Sequence, residues 1–318
     1  MATSRADILV RAIRDRTGNQ SYSATNGVPQ REIVSYLNEA QDRIFNKISM
    51  ERSSLFTKES FISTVANQAS YTLPTDILLK HNIIKVDYSH NGSAQNYAPL
   101  DLRSPRQEIS VAGYPDSYFL RDGTLILSPI PSSSITNGIR LNYQYTIPTI
   151  DIRRGQVASY ASGGTNVTSI TLTSNSLLIA ESESDLENGY VEYISIVNKD
   201  GVQTAVNIPI VSYNSTTNVA TCNHTLGSGE SIAVGSYVVF GKNATTHSSL
   251  LPICERYLLE YGVLRTQMRD SNANLMDTSP LLTAIEQEII DSIAGLEEDI
   301  VAIPILDYSM LNYTEDYH

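Results

Sequence analysis

The spacing of apolar residues constrains this chain more than any other feature, because it changes twice. It is helical over roughly the first fifty residues, alternates in strand fashion over about the next two hundred, and turns helical again near the C-terminus. In the first helical stretch Ile8, Leu9, Ala12 and Ile13 lie at helical spacing after a capping-box-like Ser4-Arg5-Ala6-Asp7, and Gly18 stands where a helix would end. Pro29 is placed to open a second helix, in which Ile33, Tyr36, Leu37, Ala40, Ile44 and Ile48 share one face. Both helices are amphipathic and need a partner to cover that face.

From Leu55 to about Ile147 the period is two. Residues 54–65 and 69–74 read as strands around Ala66-Asn67-Gln68, and 82–90 turns at Asn91-Gly92 into a second arm. Residues 116–129 form a hairpin with Asp122-Gly123 at its turn, and 139–147 supply another strand. Between about Arg154 and Thr246 the composition shifts to Ser, Thr, Asn, Gly and Val. Residues 169–174, 191–206, 208–213, 218–223 and 237–242 read there as short strands, with a hairpin at Asp200-Gly201 and flexible joints at Gly163-Gly164 and Gly241-Lys242-Asn243. Helical spacing then returns through Leu251, Cys254, Tyr257, Leu258, Tyr261, Leu264 and Met268. A last helix, capped by Ser279 and opened by Pro280, turns Leu282, Ile285, Ile289, Ile293 and Leu296 inward, with its Glu and Asp residues on the other faces.

The expected fold is α+β: an amphipathic helix bundle packed on an antiparallel β layer (1–153 plus 247–298), an inserted small all-β sandwich or barrel (154–246), and an extended C-terminal tail (299–318). In the tail, Val301, Ile303, Ile305, Leu306, Tyr308, Met310, Leu311 and Tyr313 are candidate partner-binding residues.

Charge is unevenly placed. No Lys or Arg follows Arg269, while 11 of the 34 acidic residues do, so the preceding residues hold 22 positive charges against 23 negative ones. A near-neutral surface without a basic stripe gives little of the counterion release on which nucleic-acid binding depends. The apolar runs are too short for a spanning helix, and residues 1–16 are broken by charges where a signal peptide would be apolar, so assembly in a cytoplasm is expected. Cys222 and Cys254 read as buried, unpaired thiols.

Catalytic and ligand-binding patterns are missing from the sequence: it has no glycine-rich phosphate loop, no nucleophile elbow, and no His or Cys spacing that would hold zinc. No metal, cofactor or catalytic residue is expected. Cys222 and His224, on one face of a strand, are the one pair a cysteine hydrolase could use, and they read more simply as a turn-adjacent polar pair. Glu286 and Glu288 are separated by about 200° on a helix and do not share a ligand.

With these elements in order, the chain resembles the head-to-tail adaptor proteins of short-tailed bacteriophages, the tail tubular protein A or head-completion family. The resemblance is carried by Tyr36–Ile44 with its Asn38-Glu39-Ala40-Gln41, by the strands at 54–60 and 69–74, by Tyr71-Thr72-Leu73-Pro74-Thr75-Asp76, by the hairpin Tyr118–Pro131 and by Ile253–Arg265. It implies a structural virion protein at the head–tail junction and no enzyme. The implied assembly is a homo-oligomeric ring, usually of twelve subunits, docked under the portal protein above a downstream tail or nozzle protein, with a channel for DNA ejection and no membrane. Two other readings stand beside it: a tail or fibre component whose Ser/Thr/Asn-rich β module and many tyrosines bind carbohydrate, and the Cys222–His224 hydrolase.

Overall fold

Amphipathic helices bury their apolar stripes only against one another or against a sheet, and here they do so against one another. The computed structural model describes residues 5–18, 28–78, 82–89, 91, 96–104, 111–173, 186, 188–227, 229–271 and 280–294. Ser4, Gly92, Ser279, Leu296 and the whole tail, with its eight candidate residues from Val301 to Tyr313, lie outside the described residues.

Helix α1 (Ala6–Thr17) buries Ala6, Leu9, Val10 and Ile13 and ends at Gly18, whose φ of 67° lets its N–H return to the Arg14 carbonyl. It starts one residue later than a Ser4 cap predicts. Extended Arg5 precedes it, and the Ala6 N–H donates to the Thr246 carbonyl at 2.8 Å. Helix α2 (Gln30–Glu51) buries Ile33, Leu37, Ala40, Ile44 and Ile48, and Pro29 precedes it instead of occupying its first position. Helices α3 (Glu255–Ser271) and α4 (Pro280–Ala294) complete the core with Tyr257, Leu258, Tyr261, Leu282, Ile285, Ile289 and Ile293. Each such aliphatic side chain contributes roughly 1.5–3 kcal/mol on burial. Close approach of α1 to α3 depends on Gly262, where a Cβ would collide with Ile13.

After a 3-10 turn at Ser53–Phe56 come β1 (Thr57–Thr64), β2 (Ser70–Thr72), β3 (Ile83–Ser89), β4 (Tyr97–Pro99), β5 (Asp101–Leu102), β6 (Ala112–Gly113), β7 (Ser117–Arg121), β8 (Thr124–Ser128), β9 (Ile130–Pro131) and β10 (Ile135–Gln144). They form two four-stranded sheets, β1-β10-β3-β4 and β2-β8-β7-β5, besides the short β6-β9 pair. Asp122 and Gly123 both have positive φ and turn the expected β7–β8 hairpin. In place of the expected single β layer under the helices, two sheets pack on each other. Tyr71, Tyr88, Tyr118, Leu125, Leu141 and Tyr143 of the two sheets share a core distinct from the helical one. The alternation of β10 gives the reason: its buried Ile139, Leu141 and Tyr143 are covered by the other sheet, leaving that face no room for helices. The two cores meet at Phe56, whose ring lies 4.6 Å from Phe45 and 6.3 Å from Tyr145.

Strand β11 (Thr149–Ile150) leads into a closed six-stranded barrel of β12 (Gly155–Gly163), β13 (Asn166–Leu172), β14 (Tyr193–Val197), β15 (Gln203–Asn214), β16 (Val219–Thr225) and β17 (Tyr237–Phe240), in the order β12-β13-β16-β15-β14-β17. Strand β18 (Ala244–Thr245) leaves it, pairing in parallel with β11. Three expectations change. Gly155–Gly163 is a strand that its small, polar residues hid. Gly163-Gly164 is the turn between β12 and β13, not a joint. Residues 208–213 continue β15 and are not a strand of their own.

Candidate functional site: the joint between helices and barrel

Polar side chains converge where β11 and β18 connect the helices to the barrel, those of α2 among them. Asn38 lies on the flank of the buried α2 stripe, so its amide reaches the β11 backbone. Its Nδ2 donates to the Ile150 carbonyl at 2.8 Å, and its Oδ1 accepts the Ile150 N–H at 2.7 Å. One turn on, Gln41 donates to the Pro148 carbonyl at 2.9 Å and accepts from Ser248 Oγ at 2.9 Å, so one amide holds both connecting segments. Side chains thus supply the partners that buried backbone groups require.

Beyond β11, Asp151 and Arg154 form a buried ion pair with contacts of 2.8–3.1 Å, and Asp151 also accepts the Phe240 N–H at 2.7 Å. Arg153 bonds Asp7 of α1 and lies over the Tyr237 ring. The Asp151–Arg154 pair tolerates burial because its members are hydrogen-bonded to each other and Asp151 also to backbone. The Gly241-Lys242-Asn243 segment, expected to be a flexible joint, is pinned. Gly241 bonds Tyr193 and Ser195, the Asn243 N–H donates to Asn207 Oδ1 at 2.9 Å, and Gln203 donates to Asn243 Oδ1 at 3.0 Å. Thr245 Oγ1 donates to the Gly201 carbonyl at 2.7 Å, and Gly201 has no Cβ to collide with His247. Burial, with Arg5 beside it, lowers the His247 pKa and favours the neutral ring.

A ladder of carboxylates clamps the bundle. Glu32 meets Arg269 at 3.0 Å and accepts from Tyr36 at 2.6 Å. Glu39 accepts from Tyr261 at 2.7 Å and from Arg265 at 3.2 Å. Glu286, expected on a solvated face, is only 5% exposed: it accepts from Tyr257 at 2.7 Å and Arg43 at 3.1 Å, and pairs with Lys47. Burial alone would raise its pKa, but Lys47, Tyr257 and Arg43 together hold it below the ordinary carboxylate value. Burial, then the bond to Glu39, pushes the Tyr261 hydroxyl up to about 12. Apolar spacing cannot reveal Glu286; the signal available was a cation pair, Arg43 and Lys47, one turn apart on α2.

The one pair a cysteine hydrolase could use is drawn apart by its surroundings. Cys222 faces the barrel core with its thiol pushed up to about 11 by burial, while His224 lies 3.2 Å from Glu230. Glu288 pairs with Arg256 at 3.4 Å, apart from the Glu286 cluster. Both cysteines are free and buried. Tyr71, Tyr88, Tyr118, Tyr143, Tyr257 and Tyr261 are core residues and offer no sugar-stacking face. Among the described residues no His, Cys, Asp or Glu group could hold a metal, and no helix is long and apolar enough to cross a membrane.

Motif side chains at the joint and in the sheets are spent on holding one element against another. Asn38, Glu39 and Gln41 clamp α2 to β11 and α3. Tyr71 donates to the Gln68 carbonyl at 2.7 Å, and Asp76 accepts from Tyr143 and Lys58, each at 2.8 Å. The model of the SU10 adaptor protein family matches residues 4–157, just under half of the chain, and over that stretch the resemblance to phage head–tail adaptors is borne out. No curated protein matches the chain.

Proposed function

We propose that the chain is a structural head–tail adaptor that closes into a ring, of twelve copies on the family resemblance, below the portal. It would join capsid to tail and leave a channel for DNA. The family match over residues 4–157 carries this reading, because it covers α1, α2, both sheets and β11. Near-neutral charge before Asp270 suits a wall past which DNA slides without sticking. Ring closure needs two different faces of each subunit to meet. In this reading the barrel, within 154–246, is an inserted module projecting from the ring, and 299–318 docks on a partner surface. A single tail would bind weakly, since ordering its backbone at about 1–2 kcal/mol per residue offsets most of its apolar burial, but many tails on one ring gain by effective concentration.

Electron microscopy of the purified protein, alone and mixed with portal, tests the proposal. A uniform closed ring in either sample is the expected result, and monomers in both overturn it. Deleting 300–318 should leave thermal stability within about 0.5 kcal/mol of the parent and weaken portal attachment. Undiminished attachment would rule out docking of the tail on the portal.

A further inference from the structure

A cleft of about 670 Å³ opens between the start of α2 and the barrel, lined in part by Arg31, Tyr190, Glu192, Tyr193, Phe240 and Lys242. The Lys242 ammonium sits 4.2 Å from the centre of the Tyr193 ring, and Tyr190 is 74% exposed. Cations and aromatic faces outnumber the one carboxylate, so the cleft suits an acidic peptide that carries aromatic rings and no cation of its own. The chain contains such a segment: residues 299–318 hold Asp299, Asp307, Glu315 and Asp316 with Tyr308, Tyr313 and Tyr317, and no Lys or Arg.

Position favours a second copy as the supplier. Arg52, just past the end of α2, donates to the Ala294 carbonyl at 2.9 Å, so α4 ends beside the C-terminal end of α2. Arg31 lies at the other end of that helix, about 32 Å away at 1.5 Å per residue. The residues after Ala294 therefore set out from the end of the bundle opposite the cleft, and to reach their own cleft they would have to retrace the length of α2. Donor and acceptor on opposite ends of one subunit are the two unlike surfaces that a head-to-tail contact between copies requires. We propose that this cleft receives the acidic, tyrosine-bearing 299–318 segment of a second copy of the chain. The proposal rests on the ring-forming reading above.

Disulfide trapping between full-length chains tests it, since Cys222 and Cys254 are buried and do not interfere. Chains carrying Tyr190→Cys are mixed with chains carrying Tyr308→Cys, Tyr313→Cys or Tyr317→Cys, oxidised, and separated without reductant, while ring formation is followed by microscopy. Expected is a covalent dimer with at least one tail position, reduced about tenfold when Lys242→Glu is added to the Tyr190→Cys chain. It should fall to background when Leu102→Cys, on the exposed β5, replaces Tyr190→Cys. Rings that form without any such dimer overturn the cleft assignment and leave the ring standing; failure to form rings both alone and with portal sinks the underlying reading. Trapping only within a chain carrying both replacements overturns the second-copy donor, and trapping indifferent to Lys242→Glu overturns the charge basis.

Discussion

Replacing Asn38 by alanine removes both partners of the Ile150 peptide groups, whose N–H and carbonyl are held at 2.7 and 2.8 Å. Ile150 is buried in the helical core, so water does not freely take the place of the amide. Stranding a buried polar group costs about 1–3 kcal/mol, which puts the loss for the two groups at about 2–6 kcal/mol. The transition that melts the bundle should fall by roughly 5–20 °C, while the barrel, whose core holds neither residue, keeps its own transition if the two unfold separately. Differential scanning calorimetry and urea titration read both quantities. Asn38→Asp is the control: its carboxylate still accepts from the Ile150 N–H but faces the Ile150 carbonyl, so it should be at least as damaging at neutral pH and recover once protonation restores a donor. An Asn38→Ala protein within about 0.5 kcal/mol of the parent would refute the view that this amide locks the joint.

Glu286→Gln keeps the shape and removes the charge. The carboxyl's pKa is lowered on folding, so its contribution is complete above its ordinary value of 4.5 and is lost as pH falls through the lowered value. The gap in urea stability between parent and variant should accordingly be steady near neutrality and close below pH 4.5. Gly262→Ala should destabilise by about 1–3 kcal/mol in thermal melts, the overpacking against Ile13 exceeding the gain in helix propensity. The thiols of Cys222 and Cys254, raised by burial to about 11 and about 12, should react with a thiol reagent at pH 8 only on unfolding, and rapid labelling of the folded chain would show that the barrel and bundle cores are open.

Elements whose own residues dictate them were legible. Helices α1 to α3, the Asp122-Gly123 hairpin and the Asp200-Gly201 turn follow from periodicity or from backbone conformations that few residues adopt. Strand β12 was hidden because Gln156, Ala158, Ser159 and Ser162 carry little apolar alternation; pairing with β13 and β17 makes it a strand. Which sheet a strand joins is decided by residues far away: β1 and β2 are separated by a short turn yet pair with β10 and β8. The joint was partly visible. Asn38 and Gln41 stood out as a motif, but their backbone partners at Pro148 and Ile150 lie more than a hundred positions on. Glu286 was misplaced because an apolar stripe cannot show a polar residue buried by cations from another helix.

A body hung from one linker swivels, whereas the barrel hangs from two adjoining strands. Twisting it about the joint would drag Thr149 and Asp151 away from Asn243 and Thr245, whose carbonyls they reach at 3.1 and 2.9 Å. It would also shear the Arg153–Asp7 contact that ties the far side of the joint to α1. The direction in which the barrel points is therefore fixed by contacts within the chain itself.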